Sequence, residues 1–464
     1  CWVAANIAAF GGNASNVAIM GESSGGGAVG VHLTSPASWG LFHKAIAESP
    51  GLTQVKPMEE AELNYKYVLA ALLAAGSPGC VRATASNESY AAFPHTMLPL
   101  AIGFPGTSTI IGNGTGWDYA QAVAACDALP NCHGFDIFVD ANASLSEANT
   151  TVYLVNTTNL FDATVFGALP ANSSVTAFLK AAVGGAQGVD CLVHADAKML
   201  AYSINTWPPR ADTFETDAWA PVVDGIALNA SVVAALNAGI VAPGVPLLAG
   251  SNMDEGTIFM GLVPNIECNA TANDFLAWAV SFYGPDLGPL IPSAYATLRQ
   301  PVPNCSTPGD GKYYMAAMRS AGDFAITCQV RNAAQRLQQG GHSVYAYYFT
   351  HQPVMSANYG DLDELGAFHG AEVPFVFGYA AELSDDAERA LSMQMGCYWL
   401  NFVWTGDPSL PPAESKDQCA DSKLPAWPRF VAGKDEQTMV FDVGVVRSET
   451  GLKQEQCNVY FGSN

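Results

Sequence analysis

A glycine-flanked serine in residues 21–25, Gly-Glu-Ser-Ser-Gly, constrains this chain more than any other feature. A mostly apolar run, residues 16–20, predicts a short buried strand before it, and the small residues that follow could open a helix. A serine on such a turn is forced outward, and Gly21 and Gly25 would let strand and helix meet closely. The helix would also direct its free N–H groups at Ser23. The pattern predicts an exposed nucleophile; the alternative is a glycine-rich corner without chemistry.

The composition favours a large buried core, because 49% of the 464 residues are apolar and only 13% are charged. The formal net charge of −23 makes nucleic acid and anionic membranes poor partners. No apolar run approaches the length of a membrane span.

Eleven cysteines occur together with ten Asn-x-Ser/Thr sequons, which predicts an oxidising, secretory route and a secreted or extracellular glycoprotein. The sequons are at Asn13, Asn87, Asn113, Asn142, Asn149, Asn156, Asn172, Asn229, Asn269 and Asn304. The chain opens at Cys1 within an amphipathic helical pattern that Gly11 and Gly12 should end. We therefore expect a fragment whose N-terminal part, with its signal, is missing.

Strand and helix patterns alternate along the chain, which predicts an α/β fold with a largely parallel sheet. Helices are predicted over 24–33, 41–48, 58–75, 191–204, 312–338 (which Gly322 could divide) and 386–403, and strands over 245–250, 343–349 and 438–442. The stretch 81–190 differs: it carries six of the ten sequons and lacks long helical periodicity. A helix-like segment at 118–129 and strands at 134–139 and 151–155 predict a small glycosylated insert there.

A nucleophilic serine needs a base, and the base needs a carboxylate that orients it. Asp254 and Glu255 follow the predicted strand 245–250 and are both candidates for the acid, although they could equally begin a solvated helix. Among the eight histidines, His369 precedes an aromatic run in a loop. A lone histidine in such a place is more often a satisfied core residue than a base.

Five motifs, in order, resemble those of the type-B carboxylesterase/lipase family, the cholinesterase-like α/β hydrolases. They are residues 10–12 with 21–26, residues 41–46, residues 221–225 with 245–256, residues 369–372, and residues 399–408 with 427–428. The resemblance implies a carboxylesterase-type α/β-hydrolase domain over 1–80 and 191–464 that lacks the N-terminal strands, with 81–190 as the insert. The insert also faintly resembles an apple/PAN-like module.

The resemblance assigns site residues. It implies that Ser23 is the nucleophile, His369 the base and Glu255 the acid, because the family's acid directly precedes a glycine; Asp254 is thereby set aside. Ser24 would contribute its backbone N–H to the oxyanion hole. The other donors come from a glycine-rich loop that would precede Cys1, so we expect this chain alone to be inactive.

The resemblance also implies disulfides between Cys80 and Cys191 and between Cys328 and Cys457. Proximity in sequence suggests three further pairs, and Cys1 is left over. These pairs are Cys126–Cys132, Cys268–Cys305 and Cys397–Cys419.

The resulting hypothesis is a serine ester hydrolase that acts on a small-molecule or lipid ester and requires no metal or cofactor. The alternative is a catalytically silent adhesion or recognition protein, for which the insert would contact a glycan or a protein. Relatives without activity typically lack a residue of the Ser-Glu-His set, which this sequence retains.

Overall fold

The computed structural model describes residues 2–74, 191–205, 220–259, 266, 269–295, 311–354, 365–379, 381–412, 419, 424–433 and 436–462, together with the strands between 89 and 181. The chain forms two compact units. The larger consists mainly of the residues up to Lys56 and from Pro221 onward, and the smaller mainly of Pro57–Ala211.

The strands are β1 (Ala18–Glu22), β2 (Lys44–Glu48), β3 (Lys56–Pro57), β4 (Ser89–Pro94), β5 (Thr96–Met97), β6 (Ile110–Thr115), β7 (Gly134–Asp140), β8 (Thr150–Val155), β9 (Phe161–Asp162), β10 (Ser173–Ala181), β11 (Val222–Val223), β12 (Leu247–Asn252), β13 (Val344–Phe349), β14 (Gln437–Asp442) and β15 (Val445–Thr450). The α-helices are α1 (Trp2–Asn6), α2 (Ser24–Thr34), α3 (Met58–Ala74), α4 (Ala197–Asn205), α5 (Val232–Asn237), α6 (Ala272–Leu287), α7 (Ile291–Tyr295), α8 (Lys312–Gly322), α9 (Cys328–Gln339), α10 (Val373–Phe377), α11 (Asp386–Thr405) and α12 (Gln454–Phe461).

A six-stranded sheet in the order β1-β2-β12-β13-β14-β15 organises the larger unit. Its strands pair in parallel up to β14, and only the β14–β15 hairpin is antiparallel. The sheet confirms the predicted α/β class. Because the carboxyl ends of parallel strands share one edge, the segments after β1 and β12 lie near each other at that edge.

Both faces of this sheet are covered. On one face, Leu33 of α2 and Leu337 of α9 belong to the same apolar cluster as Leu247. On the other face, Phe402 of α11 packs in a cluster with Tyr345. Strands that are buried on both faces have near-continuous apolar sequences, as expected for a parallel sheet.

The helix predicted over 41–48 is wrong, because Lys44–Glu48 forms β2 at the interior of the sheet. All five of its residues are buried. A strand that is buried on both faces has no alternation of polar and apolar residues, so its pattern cannot be told from that of a short buried helix.

The predicted division of 312–338 is confirmed, although its form differs from a simple break. A π-helical turn, Asp323–Thr327, separates α8 from α9 just after Gly322. Such turns are rare and often mark functional regions. The strand β15 was not predicted.

The smaller unit contains a five-stranded antiparallel sheet in the order β4-β10-β7-β8-β6. Strands β7 and β8 confirm the two predicted strands, whereas the helix predicted over 118–129 lies outside the described residues. Helix α3 lies against β10 within this unit. The insert boundaries at 81 and 190 stay a prediction.

Two disulfides join parts of the larger unit, Cys328–Cys457 and Cys397–Cys419, and both were predicted. Cys191 is also disulfide-bonded, while Cys80, its predicted partner, lies outside the described residues. The remaining predicted pairs, Cys126–Cys132 and Cys268–Cys305, and Cys1 also lie outside them.

Candidate active site

Ser23 occupies a strained turn between β1 and α2. Its backbone has φ 58° and ψ −121°, a left-handed region that L-residues rarely adopt. A Cβ on Gly21 would lie 2.3 Å from the carbonyl carbon of Gly25, so position 21 requires glycine. A Cβ on Gly25 would meet open space, so the prediction that position 25 also requires glycine is wrong. The close contact occurs instead at Gly26, where a Cβ would lie 2.8 Å from the Glu48 carbonyl oxygen.

His369 links Ser23 to Glu255. Its Nε2 lies 2.7 Å from Ser23 Oγ, and its Nδ1 lies 2.6 Å from Glu255 Oε2. The imidazole is 10% exposed and the carboxylate 1%. An ionised carboxylate only accepts hydrogen bonds, so Nδ1 donates to Glu255, and in the neutral imidazole Nε2 is left to accept from the serine hydroxyl. The three side chains that the sequence singled out therefore form one hydrogen-bonded chain.

Hydrogen bonds to the other carboxylate oxygen also hold Glu255 in place. Its Oε1 accepts from the Asn252 backbone N–H and from Ser49 Oγ, each at 2.6 Å. These bonds fix the carboxylate at the end of β12, with Oε2 facing His369. Ser49 was not predicted as a site residue, and its own φ of 42° is another sign of strain at this edge of the sheet.

Three further glutamates surround this chain, and sequence reasoning missed all of them. Glu372 is fully buried and accepts from Asn252 Nδ2 at 2.5 Å and from the Tyr347 hydroxyl at 3.1 Å. Glu48 is buried and accepts from the Trp399 indole N–H. Burial is the main cause that raises the pKa of both carboxyls, and neighbouring carboxylates add to it.

Glu22, next to the serine, approaches the histidine directly. Its Oε1 lies 3.2 Å from His369 Nε2, and burial raises its own pKa. Burial lowers the pKa of His369, but the charge and hydrogen bond of Glu255, aided by Glu22 and Glu372, outweigh it and raise that pKa to about 9. The imidazole is therefore fully available as a base only toward alkaline pH.

Ser24 is the first residue of α2, where a helix has N–H groups without partners inside the helix. Gly27 is the residue whose N–H donates to the Ser23 carbonyl, at 2.9 Å. The positive end of the helix dipole thus lies at Ser23, as predicted. Asp254, the acid that was set aside, bonds to Arg319 instead, at 2.6 Å.

Among the described residues, no cluster of histidine, cysteine or acidic side chains could hold a metal ion. Within the same residues, every helix is too short or too polar to cross a membrane.

The model of the carboxylesterase family matches residues 1–91 and 142–460. The chain belongs to the carboxylesterase family. Its larger unit is accordingly an α/β-hydrolase fold. The match omits 92–141, which lies within the predicted insert.

Three curated relatives of this carboxylesterase-family chain are similar to it. Acetylcholinesterase 1 of Caenorhabditis elegans is 26% identical over 448 residues, which cover 92% of this chain and 54% of that protein. Acetylcholinesterase 1 of Caenorhabditis briggsae is 29% identical over 52% of this chain and 39% of that protein. Carboxylesterase 4A of Bos taurus is 29% identical over 49% of this chain and 40% of that protein. The chain thus spans about half the length, or less, of these relatives.

Proposed function

We propose that this carboxylesterase-family protein hydrolyses carboxylic esters through a serine acyl-enzyme. The observation that carries the proposal is the hydrogen-bonded chain Ser23–His369–Glu255 at a strained elbow. The names of the relatives, two acetylcholinesterases and a carboxylesterase, also favour an enzyme over the silent adhesion alternative.

In the proposed reaction, Ser23 Oγ attacks the ester carbonyl carbon while His369 Nε2 takes the hydroxyl proton. Glu255 keeps the proton of the imidazole on Nδ1 and stabilises the imidazolium that forms. His369 then gives its new proton to the departing alcohol, and water releases the acyl group by the same steps. The Ser24 N–H and the N-terminus of α2 stabilise the oxyanion, a contribution of about a hundredfold or more for one such donor.

The test is covalent labelling of the full-length protein by an organophosphonate, together with its turnover of short-chain p-nitrophenyl esters. Ser23→Ala should abolish both, because it removes the hydroxyl that lies 2.7 Å from His369 Nε2. Ser24→Ala keeps the backbone N–H and serves as the matched control, so it should retain both signals. Labelling that survives in Ser23→Ala would refute the assignment.

We also propose that the protein is secreted and glycosylated. The two disulfides and the exposed sequon asparagines Asn13, Asn229 and Asn269 support this, since structural disulfides persist in oxidising compartments. Enzymatic removal of N-glycans from the protein secreted by eukaryotic cells should lower its mass. An unchanged mass would contradict glycosylation.

A further inference from the structure

A buried ion pair lies directly before the proposed catalytic acid. Arg319 of α8 donates from Nε to Asp254 Oδ1 at 2.6 Å, and the two side chains are only 3% and 1% exposed. Two charges removed from water in this way are strongly destabilising if either loses its partner. This pair plays no part in the proposed proton transfers, although it lies directly beside Glu255.

Asp254 also bonds to the segment that carries the histidine. Its Oδ2 accepts from the Ala367 N–H at 3.0 Å, and its own N–H donates to the Ala367 carbonyl at 2.9 Å. Residue 254 forms an isolated parallel bridge with Phe368, which immediately precedes His369. A Cβ on Gly366 would lie 2.3 Å from Asp254 Oδ2, so the approach of this carboxylate depends on glycine there.

The turn that carries Glu255 packs against the backbone of α8, the helix that contains Arg319. A Cβ on Gly256 would lie 2.0 Å from the Met318 carbonyl oxygen, and one on Gly322 would lie 2.8 Å from Glu255 Cβ. These contacts set how closely the turn approaches α8. The Arg319–Asp254 hydrogen bond adds to this packing a directional contact between the turn and α8.

We propose that Arg319 is a positioning residue that, through Asp254, holds the Glu255 turn and the His369 loop in register on α8. Arg319 touches none of the reacting atoms. Its effect is exerted on the 2.6 Å bond between Glu255 and His369. The inference rests on the proposed esterase function for its kinetic consequence, but the geometry of the Glu255–His369 bond can be measured without turnover.

The decisive variant of the full-length protein is Arg319→Met, which removes the charge and keeps a long side chain. A displacement of a catalytic group by about 1 Å costs about a hundredfold in rate, so kcat should fall by about that factor, while KM changes by about twofold or less. The low-field proton resonance of the His369 Nδ1–H, which reports its bond to Glu255, should shift or broaden. Arg319→Lys keeps the charge and should retain most of the turnover and the wild-type resonance.

Arg331→Met is the matched control, because Arg331 forms a similar ion pair with Glu436 at 2.7 Å on α9. It should lower stability without moving the His369 resonance. If Arg319→Met fails to fold, the double variant Arg319→Met with Asp254→Asn leaves no unpaired charge and should show the same lowered kcat and altered resonance.

The proposal is overturned if folded Arg319→Met, or its double variant with Asp254→Asn, keeps the wild-type resonance and a kcat within about twofold, or if Arg331→Met produces the same changes as Arg319→Met. Equal losses in Arg319→Lys and Arg319→Met would also overturn it. Failure of the esterase proposal is distinguishable, because the wild-type protein would then lack turnover while the resonance still responded to Arg319→Met.

Discussion

Glu22 places a carboxylate 3.2 Å from the nitrogen of His369 that must accept the serine proton. A negative charge at this distance favours the imidazolium form of His369. It therefore stabilises the positive charge that develops on the imidazole during catalysis, but it also keeps the imidazole of the free enzyme protonated at neutral pH. We therefore predict that Glu22→Gln lowers the pKa of the acidic limb of the kcat/KM profile from the value of about 9.

The measurement is kcat/KM against pH, which reports ionisations of the free enzyme. Asp386→Asn is the control, because Asp386 is an exposed carboxylate on the first turn of α11. The acidic limb of the kcat/KM profile of this variant should match that of the wild type. If the acidic limb of the Glu22→Gln profile stays in place or moves to higher pH, Glu22 is not a cause of the raised His369 pKa.

At the scale of elements, the elbow depends on the close approach of β1 and α2. Gly21→Ala would place a Cβ 2.3 Å from the Gly25 backbone, which cannot yield as a flexible side chain could. We expect a loss of about 1–3 kcal/mol in stability from this overlap, together with loss of organophosphonate labelling. Gly25→Ala is the control for stability, because its Cβ meets open space and alanine favours helix over glycine. Equal unfolding midpoints for the two variants would refute the close-approach account.

The strand-turn-helix at Ser23 could be predicted from sequence because a local pattern determines it. The strand β2 could not, because burial on both faces erases the alternation that distinguishes a strand. Likewise, the partners of Glu255 arise from contacts between distant segments: Ser49 is 206 residues away in sequence. Nothing in the local pattern around Ser49, Glu48 or Glu372 marks them as neighbours of the site.

At the scale of the whole molecule, the predicted insert 81–190 can be tested through its cysteines. If Cys80 and Cys191 are paired, non-reducing peptide mapping should recover the two peptides linked, and reduction should separate them. A protein in which residue 80 is joined to residue 191 should then still fold and be labelled at Ser23. The smaller compact unit begins at Pro57 and includes α3. A second variant that lacks residues 57–211 is therefore compared with the variant that lacks 81–190. Collapse of the first variant would show that 81–190 is integral to the domain.

The buried groups around the site also make the stability of the whole protein depend on pH. The pKa values of Glu48 and Glu372 are raised chiefly by burial, and the pKa of His369 is raised to about 9 by Glu255 in spite of burial. For each of these groups the folded state holds a proton that the unfolded state releases at lower pH. Their contribution to stability is therefore fully present below the unfolded pKa and is lost as the pH rises through the folded pKa.

The free energy of unfolding should accordingly fall between about pH 6 and pH 9, by about 1.4 kcal/mol per pH unit for each proton that only the folded state retains. The carboxyls with lowered pKa values, such as Asp442, do not oppose this trend, because they are ionised in both states within that window. Glu372→Gln, which cannot titrate, should flatten the slope, whereas Asp386→Asn at an exposed position should not. Urea unfolding at several pH values measures both slopes, and stability that rises with pH in the wild type would contradict the proposed protonation of this buried cluster.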